Sequence, residues 1–191
     1  YPRKPRFSLE SVSPVLRLKN SMQIPTAIHL ALTGNSSEIS ISFTTGEEGT
    51  PVVMYGKANE NNKPTDLKHK VEGGVTNTYQ ATDMCQEPAT SPDPGSFIPP
   101  GYLHTITLRG LDLDTNHDYK VGVAGGQGIT WSDIHRFRTA LPIGSTQPLS
   151  LLVYADQGCP ETGWAMGGNI TAALVEQHLN ERNVNPSNLS S

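Results

Sequence analysis

The hexapeptide Glu38-Ile39-Ser40-Ile41-Ser42-Phe43 alternates polar and apolar side chains without interruption. Because successive side chains of an extended chain point to opposite sides, this pattern predicts a β-strand with one face in a core and the other in water. A surface helix would instead need apolar residues three and four positions apart. The stretch therefore indicates a sheet that is packed on one face only.

Similar segments recur between residues 24 and 140. Each is short, is rich in β-branched, aromatic or alternating residues, and most end at turn-forming residues; they cover residues 27–32, 52–55, 67–71, 76–80, 103–108, 119–123 and 134–138. No part of this region shows a helical period. Short strands at such spacing predict a mostly β protein with an antiparallel sandwich of the immunoglobulin or fibronectin type III kind.

The composition agrees with that fold and excludes some functions. The chain has 191 residues, 35% of them hydrophobic, with 18 Gly and 15 Pro, which favours short strands and many turns over a helical bundle. Its net charge of −4 provides no basic surface for nucleic acid. It contains no apolar run of about 18 residues, so no membrane-spanning helix is predicted.

The pattern changes after residue 147. Residues 149–154 form a continuous apolar run, as in a strand that is buried on both faces of a parallel sheet, and residues 169–183 have a helical pattern. This strand-loop-helix arrangement predicts the first βα unit of an α/β domain. Such a unit cannot cover its own hydrophobic faces, so we expect it to pack on sequence that this chain does not contain.

These patterns predict four regions. They are an N-terminal extension over 1–23, a sandwich over 24–140, a linker over 141–147 and the βα unit over 148–191. The linker assignment depends on Pro142 and Gly144, which are typical of exposed connections between domains.

The main candidate for chemistry is Asp156, which directly follows the apolar run. A carboxylate at the C-terminal end of a buried parallel strand faces the crevice in which α/β proteins bind ligands. Gly158, two residues later, allows the backbone to approach closely. Asp156 is therefore a candidate metal ligand, and the alternative is an aspartate that caps a turn or a helix.

Two other patterns are better explained by structure. Acidic and amide residues alternate from Asp112 to Asp118, but a calcium loop would need Gly and Glu where His117 and Val123 stand, so a solvated turn is predicted. Gly125-Gly126-Gln127-Gly128 follows a strand but precedes neither a helix nor a Gly-Lys-Ser/Thr sequence. It predicts a hairpin turn rather than a phosphate-binding loop.

The histidines do not form a cluster in the sequence. His29, His104 and His135 fall within predicted strands, where we expect packed or hydrogen-bonded side chains rather than ligands. His117 falls in a polar stretch and is predicted to be exposed, as are His69 and His178.

Sequons and cysteines favour a secreted protein. Asn35, Asn169 and Asn188 each begin an Asn-x-Ser/Thr sequence and are candidate glycosylation sites. Cys85 and Cys159 fit a single disulfide in an oxidising compartment, which would join the sandwich to the loop after Asp156. Two free thiols, or pairing with absent sequence, remain the alternatives.

Four segments carry a resemblance to the purple acid phosphatases, in register over roughly residues 25 to 180. Ala81-Thr82-Asp83-Met84-Cys85-Gln86-Glu87-Pro88-Ala89 resembles the Asp-Met-Cys-Gly-Ala-Pro-Ala stretch of the larger plant-type enzymes. Pro100-Gly101-Tyr102-Leu103-His104-Thr105 and Trp131-Ser132-Asp133-Ile134-His135-Arg136-Phe137 resemble two of their strands. Ala155-Asp156-Gln157-Gly158 is similar to the first metallophosphoesterase motif, Gly-Asp-x-Gly, with Ala155 in place of the first Gly.

The resemblance implies a fibronectin III-like N-terminal domain followed by the start of a metallophosphoesterase domain. It also implies hydrolysis of phosphate monoesters at a site with ferric iron beside iron, zinc or manganese, in which Asp156 would be a ligand of the ferric ion. The family's remaining ligand motifs, Gly-Asp-x-x-Tyr, Gly-Asn-His-Asp/Glu, Val-x-x-His and Gly-His-x-His, are absent from this sequence. One carboxylate cannot hold two metals, so this chain alone is expected to be inactive and to bind no metal.

Two hypotheses about function follow. In the first, the chain is the N-terminal portion of a secreted, vacuolar or cell-wall acid phosphatase, and its partner is the remainder of the catalytic domain. In the second, it is a non-catalytic secreted glycoprotein module whose sandwich serves assembly or adhesion, as a homo-oligomer or in an extracellular assembly.

Overall fold

A computed structural model describes residues 23–59, 66–91, 96–126 and 128–149, together with the single positions 153 and 177. These residues form nine β-strands and one short 3-10 turn, Ala81–Asp83. In chain order the strands are β1 Thr26–Leu32, β2 Ile39–Thr45, β3 Thr50–Lys57, β4 His69–Glu72, β5 Val75–Asn77, β6 Tyr102–Leu108, β7 Asn116–Gly125, β8 Gly128–Trp131 and β9 His135–Arg138.

The strands make two antiparallel sheets. The first has the order β1-β2-β6-β5, and the second has the order β4-β3-β7-β8, with β9 also paired to β7. A mostly β, antiparallel sandwich was predicted from the sequence, and the structure confirms it. Of the predicted βα unit the structure describes residues 148, 149, 153 and 177. Gln177 is helical, whereas Leu149 and Val153, from the predicted buried strand, are exposed and belong to no strand.

The core lies between the sheets, and the alternation in β2 explains how it forms. Residues 39, 41, 43 and 45 are buried while those between them are half-buried, as the hexapeptide predicts. Ile41 and Phe43 belong to one hydrophobic cluster with Val53 of β3 and Val121 of β7. Burial of such side chains is the main stabilising contribution, at about 1.5–3 kcal/mol each.

The strands differ from the sequence prediction at β5, β8 and β7. β5 ends at Asn77, although the predicted strand ran to residue 80. β8 was not predicted, because it is short, begins at a glycine and contains few apolar residues. It forms as the second arm of a hairpin in which Gly125 lies opposite Gly128, which confirms the predicted turn. β7 begins at Asn116 rather than at Tyr119, because the polar residues at its start pair with β9.

Contacts between Cα atoms divide the chain into two units, Tyr1–Ser145 and Thr146–Ser191. The sandwich lies within the first unit. In the second, the structure describes residues 146–149 and the positions 153 and 177. Among the described residues, no helix is long and apolar enough to cross a bilayer.

Candidate functional site

The residues proposed from sequence are unevenly covered by the structure. Asp156, Cys159, Asn169 and Asn188 lie outside the described residues, so their roles stay predictions. Within the described part of the chain, no group of three or more His, Cys, Asp or Glu side chains is placed to hold a metal ion. The polar side chains of the described sandwich instead make hydrogen bonds and ion pairs with one another and with the backbone.

Asn35 lies in the exposed turn between β1 and β2. Its Oδ1 accepts hydrogen bonds from the backbone N–H of Ser37 at 3.1 Å and from the Ser37 hydroxyl at 2.9 Å. Asparagine commonly fixes a turn in this way. The amide Nδ2, which would carry a glycan, reaches only Glu38 Oε1, at 3.4 Å. The turn thus leaves the amide nitrogen accessible.

Cys85 follows the 3-10 turn, is exposed and makes no disulfide within the described part of the chain. The backbone N–H of Gln80 donates to the Asp83 carboxylate at 2.8 Å, which fixes the start of that turn. Because Cys159 lies outside the described residues, the proposed pairing of the two cysteines is not tested.

His104 is the most deeply buried ionisable residue of the sandwich, with 0% of its surface exposed. Its Nε2 lies 2.8 Å from Thr45 Oγ1, and its Nδ1 lies 2.9 Å from Thr76 Oγ1. The ring also packs against Phe43, with 5.0 Å between ring centroids. The packed and hydrogen-bonded role is thus confirmed for His104, which joins β2, β5 and β6. The same prediction is wrong for His29, which is exposed in the edge strand β1.

The hydrogen bonds around His104 have one consistent direction. Thr45 Oγ1 donates its only hydrogen to the carbonyl oxygen of Glu47, at 2.7 Å, so it must accept from His104 Nε2–H. Nδ1 then accepts from the hydroxyl of Thr76. Burial lowers the pKa of His104 below its usual value, which favours this neutral ring. Both ring nitrogens are engaged, so His104 has a structural role.

Gly101 explains the remainder of the Pro-Gly-x-x-His segment. It has a φ of +82°, and a Cβ at this position would clash with the carbonyl oxygen of Thr45. Gly101 and His104 therefore both contact Thr45, one through the backbone and one through the side chain. The Thr78 hydroxyl donates to the carbonyl oxygen of Gly101 at 2.7 Å and further fixes this approach.

The acidic stretch from Asp112 to Asp118 is held by basic residues rather than by an ion. Lys57 pairs with Asp112 at 2.7 Å, and Arg138 pairs with Asp114 at 2.8 Å. The hydrogen bond from Lys57 lowers the pKa of Asp112, whose side chain is exposed. The third acid, Asp118, is buried, with 5% of its surface exposed. The sequence predicted a solvated turn here, and the structure instead places residues 116–118 in a strand.

Asp118 and Arg136 make a bidentate pair across β7 and β9. Arg136 Nε lies 2.6 Å from Oδ1, and Nη2 lies 3.0 Å from Oδ2. This geometry satisfies a carboxylate that is removed from water. The hydrogen bond that Arg136 donates to the Asp118 carboxylate raises the pKa of Arg136.

His117 was predicted to be exposed, and that prediction is wrong: only 2% of its surface is accessible. Because β7 begins earlier than predicted, His117 shares a face with Tyr119 and stacks on Phe137, with 5.4 Å between ring centroids. Its Nδ1 donates to the carbonyl oxygen of Thr115 at 3.1 Å. Burial is the main cause that lowers the pKa of His117.

The segment from Trp131 to Phe137 also has structural contacts. The Ser132 hydroxyl accepts from the backbone N–H of Val121 at 3.1 Å and donates to the carbonyl oxygen of Asp133 at 2.7 Å. It thereby bridges the interruption between β8 and β9. Phe137 enters the core, with 7% of its surface exposed. The resemblance within the sandwich is thus carried by residues that fix strands, loops and core contacts.

Comparisons with known proteins give a consistent result. The family model described as the purple acid phosphatase N-terminal domain matches residues 25–139. The "Probable inactive purple acid phosphatase 1" of Arabidopsis thaliana is 27% identical over 142 residues, which cover 72% of this chain and 21% of that protein. The "Acid phosphatase" of Aspergillus ficuum is 28% identical over 108 residues, which cover 56% of this chain and 16% of that protein.

A solved structure is also similar. The purple acid phosphatase from seeds of yellow lupin, Lupinus luteus, matches with a TM-score of 0.54 and 25% sequence identity. The match covers 65% of this chain and 21% of the lupin chain. The chain therefore spans between 16% and 21% of the length of these relatives.

Proposed function

The chain belongs to the family of purple acid phosphatase N-terminal domains, and we propose that it is the N-terminal portion of a secreted enzyme that hydrolyses phosphate monoesters. The family match over residues 25–139 is the observation that carries this proposal. The Asp-x-Gly sequence at Asp156, which follows the sandwich in the order expected for such an enzyme, supports it.

In this proposal the sandwich and the later sequence have separate tasks. His104, His117 and Asp118 are buried and satisfied by neighbours in the sandwich, so they are not assigned to catalysis. Asp156 would be one ligand of a ferric ion that lies beside iron, zinc or manganese. When bound, two such cations would activate a water molecule and hold the phosphate oxygens. The other ligands would come from sequence beyond Ser191.

A second candidate is a non-catalytic secreted module. One matched relative is named a probable inactive purple acid phosphatase, which favours a parent protein that keeps the fold without the reaction. In that case the sandwich would serve assembly or spacing, and loss of Asp156 would have no enzymatic consequence.

Secretion and glycosylation belong to the same proposal. Asn35 lies in an exposed turn with its Nδ2 accessible, as a glycosylated sequon requires. We expect a Ser37→Ala variant, made in a secreting eukaryotic host, to lose one glycan in intact-mass measurements. If the masses of the original protein and of the Ser37→Ala variant differ only by the exchange of serine for alanine, there is no glycan at Asn35.

The test of the main proposal uses the complete protein encoded by the parent gene. The purified protein should hydrolyse p-nitrophenyl phosphate at acidic pH and contain close to two metal ions by elemental analysis. Asp156→Asn should lower the activity at least about a hundredfold and reduce the metal content, because it removes a ligand. Asp133→Asn, in an exposed loop of the sandwich, is the matched control and should leave both unchanged.

The outcomes separate the two candidates. A folded complete protein that binds no metal and hydrolyses no phosphate ester would contradict the enzyme proposal and support the non-catalytic module. Full activity in Asp156→Asn would show that this residue is not a ligand, even if the protein is a phosphatase.

A further inference from the structure

Within the described residues β1 is an edge of the first sheet, because the one described strand that pairs with it is β2. Exposed edges are normally protected by charges, by proline or by short length. The other described edges have such features: β4 carries Lys70 and Glu72, β9 carries Arg136 and Arg138, and β5 and β8 are short, with three and four residues. β1 has seven residues, Thr-Ala-Ile-His-Leu-Ala-Leu, with no acidic residue, lysine, arginine or proline.

A bulge limits which part of β1 can pair with another strand. The register is irregular between Thr26 and His29, and Ala27 has a φ of +48°. A bulge of this kind bends an edge away from neighbours. The regular part, from His29 to Leu32, is left as an uncharged edge.

Two leucines of this edge lie on the core side of the sheet without being covered. Leu30 is paired with Ile41, and Leu32 is paired with Ile39. Paired residues point to the same face, and both isoleucines are buried, so both leucines face the core side. Nevertheless, 39% of Leu30 and 80% of Leu32 is exposed. The apolar layer of the sandwich therefore continues beyond its own edge.

We propose that β1 pairs with β1 of a second copy of this chain, antiparallel and around a two-fold axis at Ala31. Leu30 of each copy would then lie opposite Leu32 of the other copy. The four leucines would form one apolar cluster that extends both cores, and the two four-stranded sheets would join into one of eight strands. The inference applies whether or not the parent protein is a phosphatase.

A second copy fits this edge for two reasons. Antiparallel pairing of identical strands gives a closed, self-complementary dimer, so no further copies are recruited. The strand carries no formal charge, so self-pairing brings no like charges together. A ladder of three residues from each strand, with four leucines, is a small interface, and we expect a dissociation constant of about 1–100 μM, as is typical of weak interfaces.

The register is tested by disulfide trapping. The complete 191-residue chain is produced in bacteria, so that no glycan is attached at Asn35, with Cys85 and Cys159 changed to Ser. Ala31→Cys should form a covalent dimer on mild oxidation, because residues facing each other across the axis have Cα atoms about 5 Å apart. His29→Cys is the matched control on the same strand and face. Its two copies would be about 13 Å apart and should not cross-link.

The contribution of the leucine cluster to the dimer is tested by sedimentation velocity at protein concentrations between about 1 μM and 1 mM. Leu32→Lys should weaken the dimer at least about tenfold, because it buries a charge in the leucine cluster. Ile143→Lys, at a site that is 95% exposed outside the sandwich strands, should leave it unchanged. Urea unfolding of each variant establishes that it is folded.

Each outcome decides the proposal. Cross-linking at Ala31 alone, with weakening by Leu32→Lys, supports it. A chain that stays monomeric throughout overturns it and leaves the edge to an extended segment of another protein. A dimer that is insensitive to Leu32→Lys places the interface elsewhere and equally overturns it.

Discussion

Replacement of Gly101 by alanine should be one of the most destabilising single-methyl additions in the sandwich. The φ of +82° is unfavourable for any residue with a Cβ, at about 1–2 kcal/mol. The new methyl would also press on the carbonyl oxygen of Thr45, and overpacking of this kind costs about 1–3 kcal/mol. We therefore expect the free energy of unfolding to fall by about 2–5 kcal/mol.

The measurement is urea unfolding, followed by the fluorescence of Trp131 in a Trp164→Phe background. Gly110→Ala is the matched control, because Gly110 has a φ of +66° but no atom within 4 Å of an added Cβ. That variant should lose only the backbone contribution, about 1–2 kcal/mol. Equal losses at both glycines would refute the reasoning, since the approach to Thr45 would then contribute nothing.

Two further predictions concern His104. Thr45→Val removes the acceptor for the buried Nε2–H and should cost about 1–3 kcal/mol in urea unfolding, whereas Thr107→Val, on the outer side of β6, should change stability by less than about 0.5 kcal/mol. A loss at Thr45 no larger than at Thr107 would mean that the hydrogen bond does not stabilise the fold. Burial lowers the pKa of His104 and of His117, so these histidines take up protons in the unfolded chain before they do so in the folded one. The free energy of unfolding should therefore fall as the pH drops below 6.5, by up to about 1.4 kcal/mol per pH unit for each histidine. Urea unfolding between pH 7.5 and 5.5 measures this slope. The control His29→Gln, at an exposed site, should have the same slope. A free energy of unfolding that does not change over this pH range would contradict neutral burial of both rings.

The strands of the sandwich could be predicted because their pattern is local. The alternation from Glu38 to Phe43 reports directly which side chains face the core, and β2 has the burial that this alternation requires. β8 could not be predicted in the same way. Its four residues take their extended form from pairing with β7, which is a contact between segments rather than a property of either.

The error at His117 has a related cause. Asn116, His117 and Asp118 have the composition of a turn, and propensity alone assigns them to solvent. The partner that changes this outcome is Arg136, eighteen residues later, whose guanidinium neutralises Asp118 and lets the strand begin earlier. A charge pair between distant residues has no signature in a local window, so this burial could be found only in three dimensions.

The candidate metal ligand shows a different limit. Asp156 was proposed from its place after an apolar run and from a resemblance, and the residue itself lies outside the described part of the chain, so its role stays a prediction. Within the sandwich, by contrast, the structure assigns contacts to several polar residues that the resemblance singled out, such as His104 and Ser132.

The joint contact of Gly101 and His104 with Thr45 has a consequence for genetics. In the phosphatase proposed above, substitutions at these positions would reduce the amount of soluble protein, because they act on folding, and the surviving molecules would retain their intrinsic turnover. A screen that measures activity per cell would count such alleles as catalytic losses. Normalising activity to the quantity of folded protein would move them to a separate class, and the alleles left in the catalytic class would be those that act on the chemistry itself.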